Sequence, residues 1–181
     1  MSNILLVSAT KLEHHDDELF GIPIHIVGIG KVEAAVNTTN LINEYDPDIV
    51  VNFGSCGNLK DHKPGEVLTV GTVYNDFYAG RLHSYLPFRL WTTDIKCISS
   101  DTFYELGQSY HHSYERRIKD MDIIDMELYS IAYSCRNAKK SLYSFKWVSD
   151  DGEESNWLEN AAIGYNNFKE IFKEWLEQQK S

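Results

Sequence analysis

Three segments of this 181-residue sequence place carboxylates where they could do acid–base work on a small molecule: Glu13, just after the first apolar run; Asp125-Met126-Glu127, at the head of a helical stretch; and Val148-Ser149-Asp150-Asp151, after another apolar run. A carboxylate at the carboxyl end of a buried strand is partly desolvated, which raises its pKa and lets it act as an acid. The two late clusters also have a purely structural reading, with Asp125 capping the helix and Ser149 or Asp150 opening a turn. The residues alone do not separate these readings. Glu13 stands where open α/β sheets place their ligands, beyond the end of a strand.

Other groupings are weaker in chemistry. Gly28-Ile29-Gly30-Lys31 sits between a strand and a helix, but a phosphate loop would need a glycine at position 25, where this chain has His25, and Ser or Thr at Val32. A dinucleotide fingerprint would need glycine at Glu33. The segment therefore reads as a tight turn into a helix, with a backbone lining a ligand pocket as the second reading. His14-His15-Asp16-Asp17-Glu18 lacks the spacing of a metal-binding helix and reads as the solvated start of a helix. Asn52-Phe53-Gly54-Ser55-Cys56-Gly57-Asn58 reads as a strand entering a small turn that offers N–H groups and a hydroxyl. GSCG is not the GxSxG elbow, so Ser55 is not expected to be a nucleophile.

The elements that must position these groups follow from periodicity. Continuous apolar runs at 4–7, 22–27 and 49–53 are short, β-branched and flanked by polar or Gly/Pro residues, as buried parallel strands are. Between the second and third, Val32, Ala35, Val36, Thr39, Leu41 and Ile42 recur at helical spacing over 31–45, ended by Asp46-Pro47. Strands are expected at 66–73, 95–99 and 141–149 and helices at 126–137 and 156–179, the last with Leu158, Ala161, Phe168, Ile171, Phe172, Trp175 and Leu176 on one stripe. Strands alternating with helices imply an α/β sandwich around a largely parallel sheet. No linker or repeat divides the chain, so one domain over 1–181 is expected.

Twenty-seven acidic against 17 basic residues, a formal charge of -10, argue against a nucleic-acid partner, which clustered cations would have to hold. The only compact basic group, Arg116, Arg117 and Lys119, is small. No apolar run approaches the ~18 residues a membrane span needs, and Met1-Ser2-Asn3 is not a basic leader. The reading is a soluble, cytoplasmic protein, with Cys56, Cys97 and Cys135 as reduced thiols rather than a zinc or redox motif.

Taken together and in order, residues 6–13, Gly28-Ile29-Gly30-Lys31-Val32-Glu33-Ala34-Ala35, residues 52–57, Ser99-Ser100-Asp101-Thr102-Phe103, Asp125-Met126-Glu127 and Val148-Ser149-Asp150 resemble the purine nucleoside phosphorylase and nucleosidase superfamily, most closely its methylthioadenosine/adenosylhomocysteine nucleosidase branch. The resemblance implies a three-layer α/β sandwich around a mostly parallel, mixed sheet, no cofactor or metal, and a purine nucleoside as small-molecule partner, with a homodimer possible. It implies that Asp150 is the general acid at purine N7, held by Ser149, and that Glu13 activates water. Glu127 would bind the ribose hydroxyls with Met126 beside the sugar, Phe103 would stack on the base with the Tyr104 backbone at its edge, and Ser55 would lie near the attacking nucleophile.

Within that family, phosphorylases hold phosphate with arginines, one of them at the position of Asn52 here and another in the region of Ala9-Thr10-Lys11. Glu13 with no such arginine favours hydrolysis of an adenine-type nucleoside. The alternatives are a phosphorylase using Arg81 or Lys11, and a trimmed homologue that binds nucleosides without cleaving them. The chain is shorter than typical members between Glu13 and Ser55 and between Gly80 and Ser99. Tyr85, Phe88 and Trp91 in the second region are expected to be exposed aromatics, suited to an oligomer if they lie together.

Overall fold

Uninterrupted Ile, Leu and Val runs have no polar face to offer water, so they form strands covered on both sides. The computed structural model describes residues 2–76, 87–102, 118–150 and 157–179. In chain order these hold β1 (Ile4–Ser8), a single 3-10 turn (Lys11–Glu13), β2 (Glu18–Leu19), β3 (Ile22–Ile26), α1 (Lys31–Tyr45), β4 (Ile49–Asn58), β5 (Val67–Thr69), β6 (Thr72–Asn75), β7 (Phe88–Arg89), β8 (Lys96–Ser99), β9 (Ile123–Asp125), α2 (Leu128–Asn137), β10 (Ser141–Asp150) and α3 (Trp157–Gln178).

The strands form one mixed sheet in the order β2-β3-β1-β4-β9-β8-β6-β7, with β10 paired to both β4 and β5. The parallel pairings, which include the longest, are β1 with β3 and β4, β10 with β4 from Ser141↔Ile49 to Asp150↔Gly57, and β8 with β6 and β9. The antiparallel pairings are short.

The two-residue side-chain period sorts the central strands between two cores. Val50 and Cys56 of β4 and Leu142 and Val148 of β10 pack with Ala34 and Ile42 of α1 and with Leu128, Ile131 and Ala132 of α2. Val51, Phe53, Phe145 and Trp147 pack instead with Tyr165, Phe168, Phe172 and Trp175 of α3. Among the described residues two helices cover one face of the sheet and one covers the other, which is the three-layer α/β sandwich that the alternation of elements implies. No helix among the described residues is long and apolar enough to cross a membrane.

Four local expectations are corrected. The 66–73 run is two strands, because the backbone changes partners: Val70 N–H donates to Ser144 of β10, whereas Gly71 N–H donates to Ile95, ahead of β8. Gly71 allows the crossover, since a Cβ there would lie 1.8 Å from the Thr93 carbonyl oxygen. Residues 14–18 are not a helix start; His14 is buried, with its ring 5.4 Å from Phe53 and 5.7 Å from Tyr165 of α3, and Glu18 lies in β2. On α1 the buried face is Ala34, Thr38 and Ile42, spaced four residues apart, while Val32 and Val36 face outward. Phe88 is buried with its ring 4.9 Å from Tyr129, whereas Trp91 is exposed; Tyr85 lies outside the described residues.

Gly164 of α3 shows how tightly the second core is filled: a Cβ there would lie 2.2 Å from the Trp147 ring. Helix propensity alone makes Gly164→Ala stabilising by ~1 kcal/mol. Overpacking against a fully buried indole is expected to reverse that sign and cost about 1–3 kcal/mol, read as a lower denaturant midpoint at unchanged slope.

Candidate active site

The carboxyl ends of parallel strands β1, β4 and β10, the turn before α1 and the β9–α2 junction open onto one cavity of about 270 Å³. Glu13, Ser55, Met126, Glu127, Ser149 and Asp150, six of the residues singled out in the sequence, all line it. Phe103 and Tyr104 lie outside the described residues.

Glu13 is carried by the 3-10 turn after β1, which Thr10 begins by accepting the Leu12 N–H. Its carboxylate accepts the Ser55 N–H at 2.7 Å, the Ser55 hydroxyl, and the Ser8 hydroxyl at 3.1 Å. A Cβ at Gly54 would lie 3.0 Å from Glu13 Oε2, so that glycine lets the carboxylate lie against β4. Burial raises the Glu13 pKa, and the Lys146 charge and the serine hydrogen bonds only partly oppose it. The result is a fixed carboxylate with enhanced proton affinity, suited to a general base.

Gly28 and Gly30 take φ of 90° and 88°, the left-handed region that favours glycine, and so turn β3 sharply into α1. The tight-turn reading holds; beside it, Ile29 lines the cavity and Gly30 N–H donates to Glu127 Oε1 at 2.9 Å. Burial, reinforced by the Asp125 charge, raises Glu127 to about 7 against Lys146 and the Gly30 N–H.

The N-cap position of α2 is Glu127, and Asp125, two residues before it, accepts the N–H of Leu128, the first helical residue, at 2.8 Å. Its other oxygen accepts the Ser99 hydroxyl at 2.5 Å, and Lys146 Nζ lies 2.8 Å from Oδ2, both side chains being fully buried. Burial pushes the Asp125 pKa up, but Lys146 and the hydrogen bonds outweigh it and hold the group ionised. Lys146 stays charged by the same reciprocity: burial lowers its pKa, and Asp125, Glu127 and Glu13 together raise it further. Sequence reasoning missed Lys146. Its signal was a lone lysine between Phe145 and Trp147 in a run that otherwise reads as a core strand.

At the end of β10 the register slips, with Val148 opposite Cys56 but Asp150 opposite Gly57. Ser149 is the extra residue of this bulge, and such irregularities re-aim the side chain that follows. Ser149 Oγ lies 2.8 Å from Asp150 Oδ2 and 3.2 Å from the Cys56 carbonyl, and Asn160 of α3 donates to the Ser149 carbonyl at 2.7 Å. Gly57 leaves 3.4 Å between its missing Cβ and Asp150 Oδ1.

A family described as the phosphorylase superfamily matches residues 21–89. The 5'-methylthioadenosine/S-adenosylhomocysteine nucleosidase of Staphylococcus aureus is 54% identical over 46 residues, which are 25% of this chain and 18% of that protein, so the match spans under a fifth of this curated relative. The structure of the Neisseria meningitidis enzyme of the same description, in complex with methylthio-immucillin-A, superposes with a TM-score of 0.75 at 21% identity, covering 96% of this chain and 100% of the other. Its fold is that of the methylthioadenosine/adenosylhomocysteine nucleosidases. Futalosine hydrolase of Helicobacter pylori also has this fold, with a TM-score of 0.75 at 16% identity over 96% of this chain and 98% of that one. The resemblance to the phosphorylase superfamily thus holds in sequence over residues 21–89, and the likeness to the Neisseria meningitidis structure in fold over 96% of this chain.

Two tests address the buried charges of this site. Between its ordinary 4.5 and about 7, folded Glu127 keeps a proton that the unfolded chain releases, so its stabilising contribution is full below pH 4.5 and is lost as pH rises through 7. Glu127→Gln is therefore expected to lose less melting temperature than the unaltered protein between pH 4.5 and 7.5. Lys146→Met leaves Asp125 buried without its cation and is expected to cost about 3–5 kcal/mol. The double variant Lys146→Met/Asp125→Asn is expected to lose clearly less than the two single losses combined, as a coupled pair requires.

Proposed function

We propose that this chain hydrolyses the N-glycosidic bond of an adenine-type purine nucleoside, releasing the free base and a ribose product. One observation carries the choice of water over phosphate: Glu13, Asp125, Glu127 and Asp150 line the cavity, and no lysine or arginine does so among the described residues. A phosphate dianion would meet net negative charge there, whereas phosphate sites are built from cations and N–H donors. Among the described residues Lys146 is committed to Asp125, Lys31 to Asp76 and Asp101, and Lys11 to Asp17. Arg81 lies outside the described residues. The nucleosidase relatives and the shared fold support the same reading.

Cleavage develops positive charge on the ribose and negative charge on the departing purine. Asp150, in its protonated form, transfers that proton to N7 as the C1′–N9 bond breaks, so the bonding pair leaves on a neutral base. Water bonds to C1′ and gives its proton to Glu13, while Glu127 accepts the ribose hydroxyls. Phe103 and the Tyr104 backbone hold the base in this reading. The carboxylates favour the oxocarbenium-like sugar over the neutral substrate, which is where binding energy becomes rate. A cytoplasmic setting fits three free, buried cysteines.

The test is base release by liquid chromatography from a panel of purine nucleosides, with and without phosphate. Release is expected in phosphate-free buffer, and Asp150→Asn, folded by circular dichroism, is expected to lower it by about 10²–10⁴. Release that requires phosphate would replace the proposal with phosphorolysis. A folded Asp150→Asn protein with unchanged turnover would remove Asp150 from the mechanism.

A further inference from the structure

A second cavity, of about 480 Å³, shares no lining residue with the first. Strand β10 links them, giving Ser141, Leu142 and Tyr143 to this one and Ser149 and Asp150 to the other, so about 20 Å of strand separates them. The charge is inverted. In a chain of net charge -10, the second cavity is lined by Arg89, Arg136, Lys139 and Lys140 and, among the described residues, by no carboxylate.

Only Lys140 has a carboxylate partner among the described residues, and that partner, Asp46, has a side chain 87% exposed to solvent. Arg136 and the lysines complement the negative end of the α2 dipole. That does not account for Arg89, which comes from β7. The walls are aromatic as well as basic. The Arg136 guanidinium lies 5.2 Å over the Phe88 ring, and Trp91, 43% exposed, has its ring 4.6 Å from Tyr143. Arginine stacked on a ring keeps its in-plane N–H donors for an oxyanion, and an exposed indole offers a face to a flat ring.

We infer that this cavity binds a small heteroaromatic phosphate monoester of the mononucleotide class, with Arg89, Arg136 and Lys139 holding the phosphate and Trp91 the ring. The volume lies in the range of small-molecule sites. The inference is independent of the reaction proposed for the first cavity and stands or falls separately from it.

Isothermal titration with adenosine 5'-monophosphate, inorganic phosphate and adenosine tests it. The nucleotide is expected to bind saturably, more tightly than phosphate alone, and to quench tryptophan fluorescence in a way that Trp91→Phe abolishes. Arg89→Gln/Arg136→Gln is expected to weaken nucleotide binding about tenfold or more, each lost charge-assisted contact acting on the same phosphate. Lys139→Gln, which disturbs no ring contact, serves as the second variant and is expected to weaken it in the same direction. No saturable nucleotide binding, binding unchanged in the double variant, or phosphate binding as tightly as the nucleotide would overturn the inference.

Discussion

The buried ion pair between Lys146 and Asp125 is the constraint on which the carboxylate-rich end of the molecule depends. Crowding Glu13, Asp125 and Glu127 into a nearly dry cleft would raise all three pKa values until they neutralised. One ammonium behind the cleft offsets that crowding in different degrees. Asp125, in contact, is held ionised; Glu127 and Glu13, acted on from further away, remain raised. A single cation thus leaves three carboxylates with different proton affinities. The pair is also mechanical, because the same Asp125 side chain holds Ser99 of β8 and the first turn of α2.

Desolvating two charges is expensive, and an apolar pair would often hold a core together as well. What an apolar pair lacks is a field. Lys146 does not line the cavity, yet its charge reaches Glu13 and Glu127, so a strand interior tunes groups at the strand's end.

Much of this arrangement was legible in the sequence for simple reasons. Short β-branched runs between turns gave away the strands, and carboxylates just past those runs lay where strand ends open onto ligands. Lys146 was hidden because its meaning comes from Asp125, twenty-one residues earlier and on another strand. The break at Gly71 was hidden because both halves of 66–73 are strand-like, and only the change of hydrogen-bond partner divides them. His14 was misjudged because Asp16, Asp17 and Glu18 make its neighbourhood look wet, while Tyr165 and Phe53, remote in sequence, keep it dry. Local pattern reports propensity and exposure; it is silent on pairings that close only through the fold.

Helix α3 touches both ends of the cleft. Tyr165 donates to Asp16 at 2.8 Å and packs against His14, next to Glu13, while Asn160 holds the carbonyl of Ser149, next to Asp150. Every strand of the sheet precedes this helix in the chain. During synthesis the strands therefore emerge before the helix that covers Val51, Phe53, Phe145 and Trp147, and the backbone beside Glu13 and Asp150 gains its last two tethers only when α3 docks.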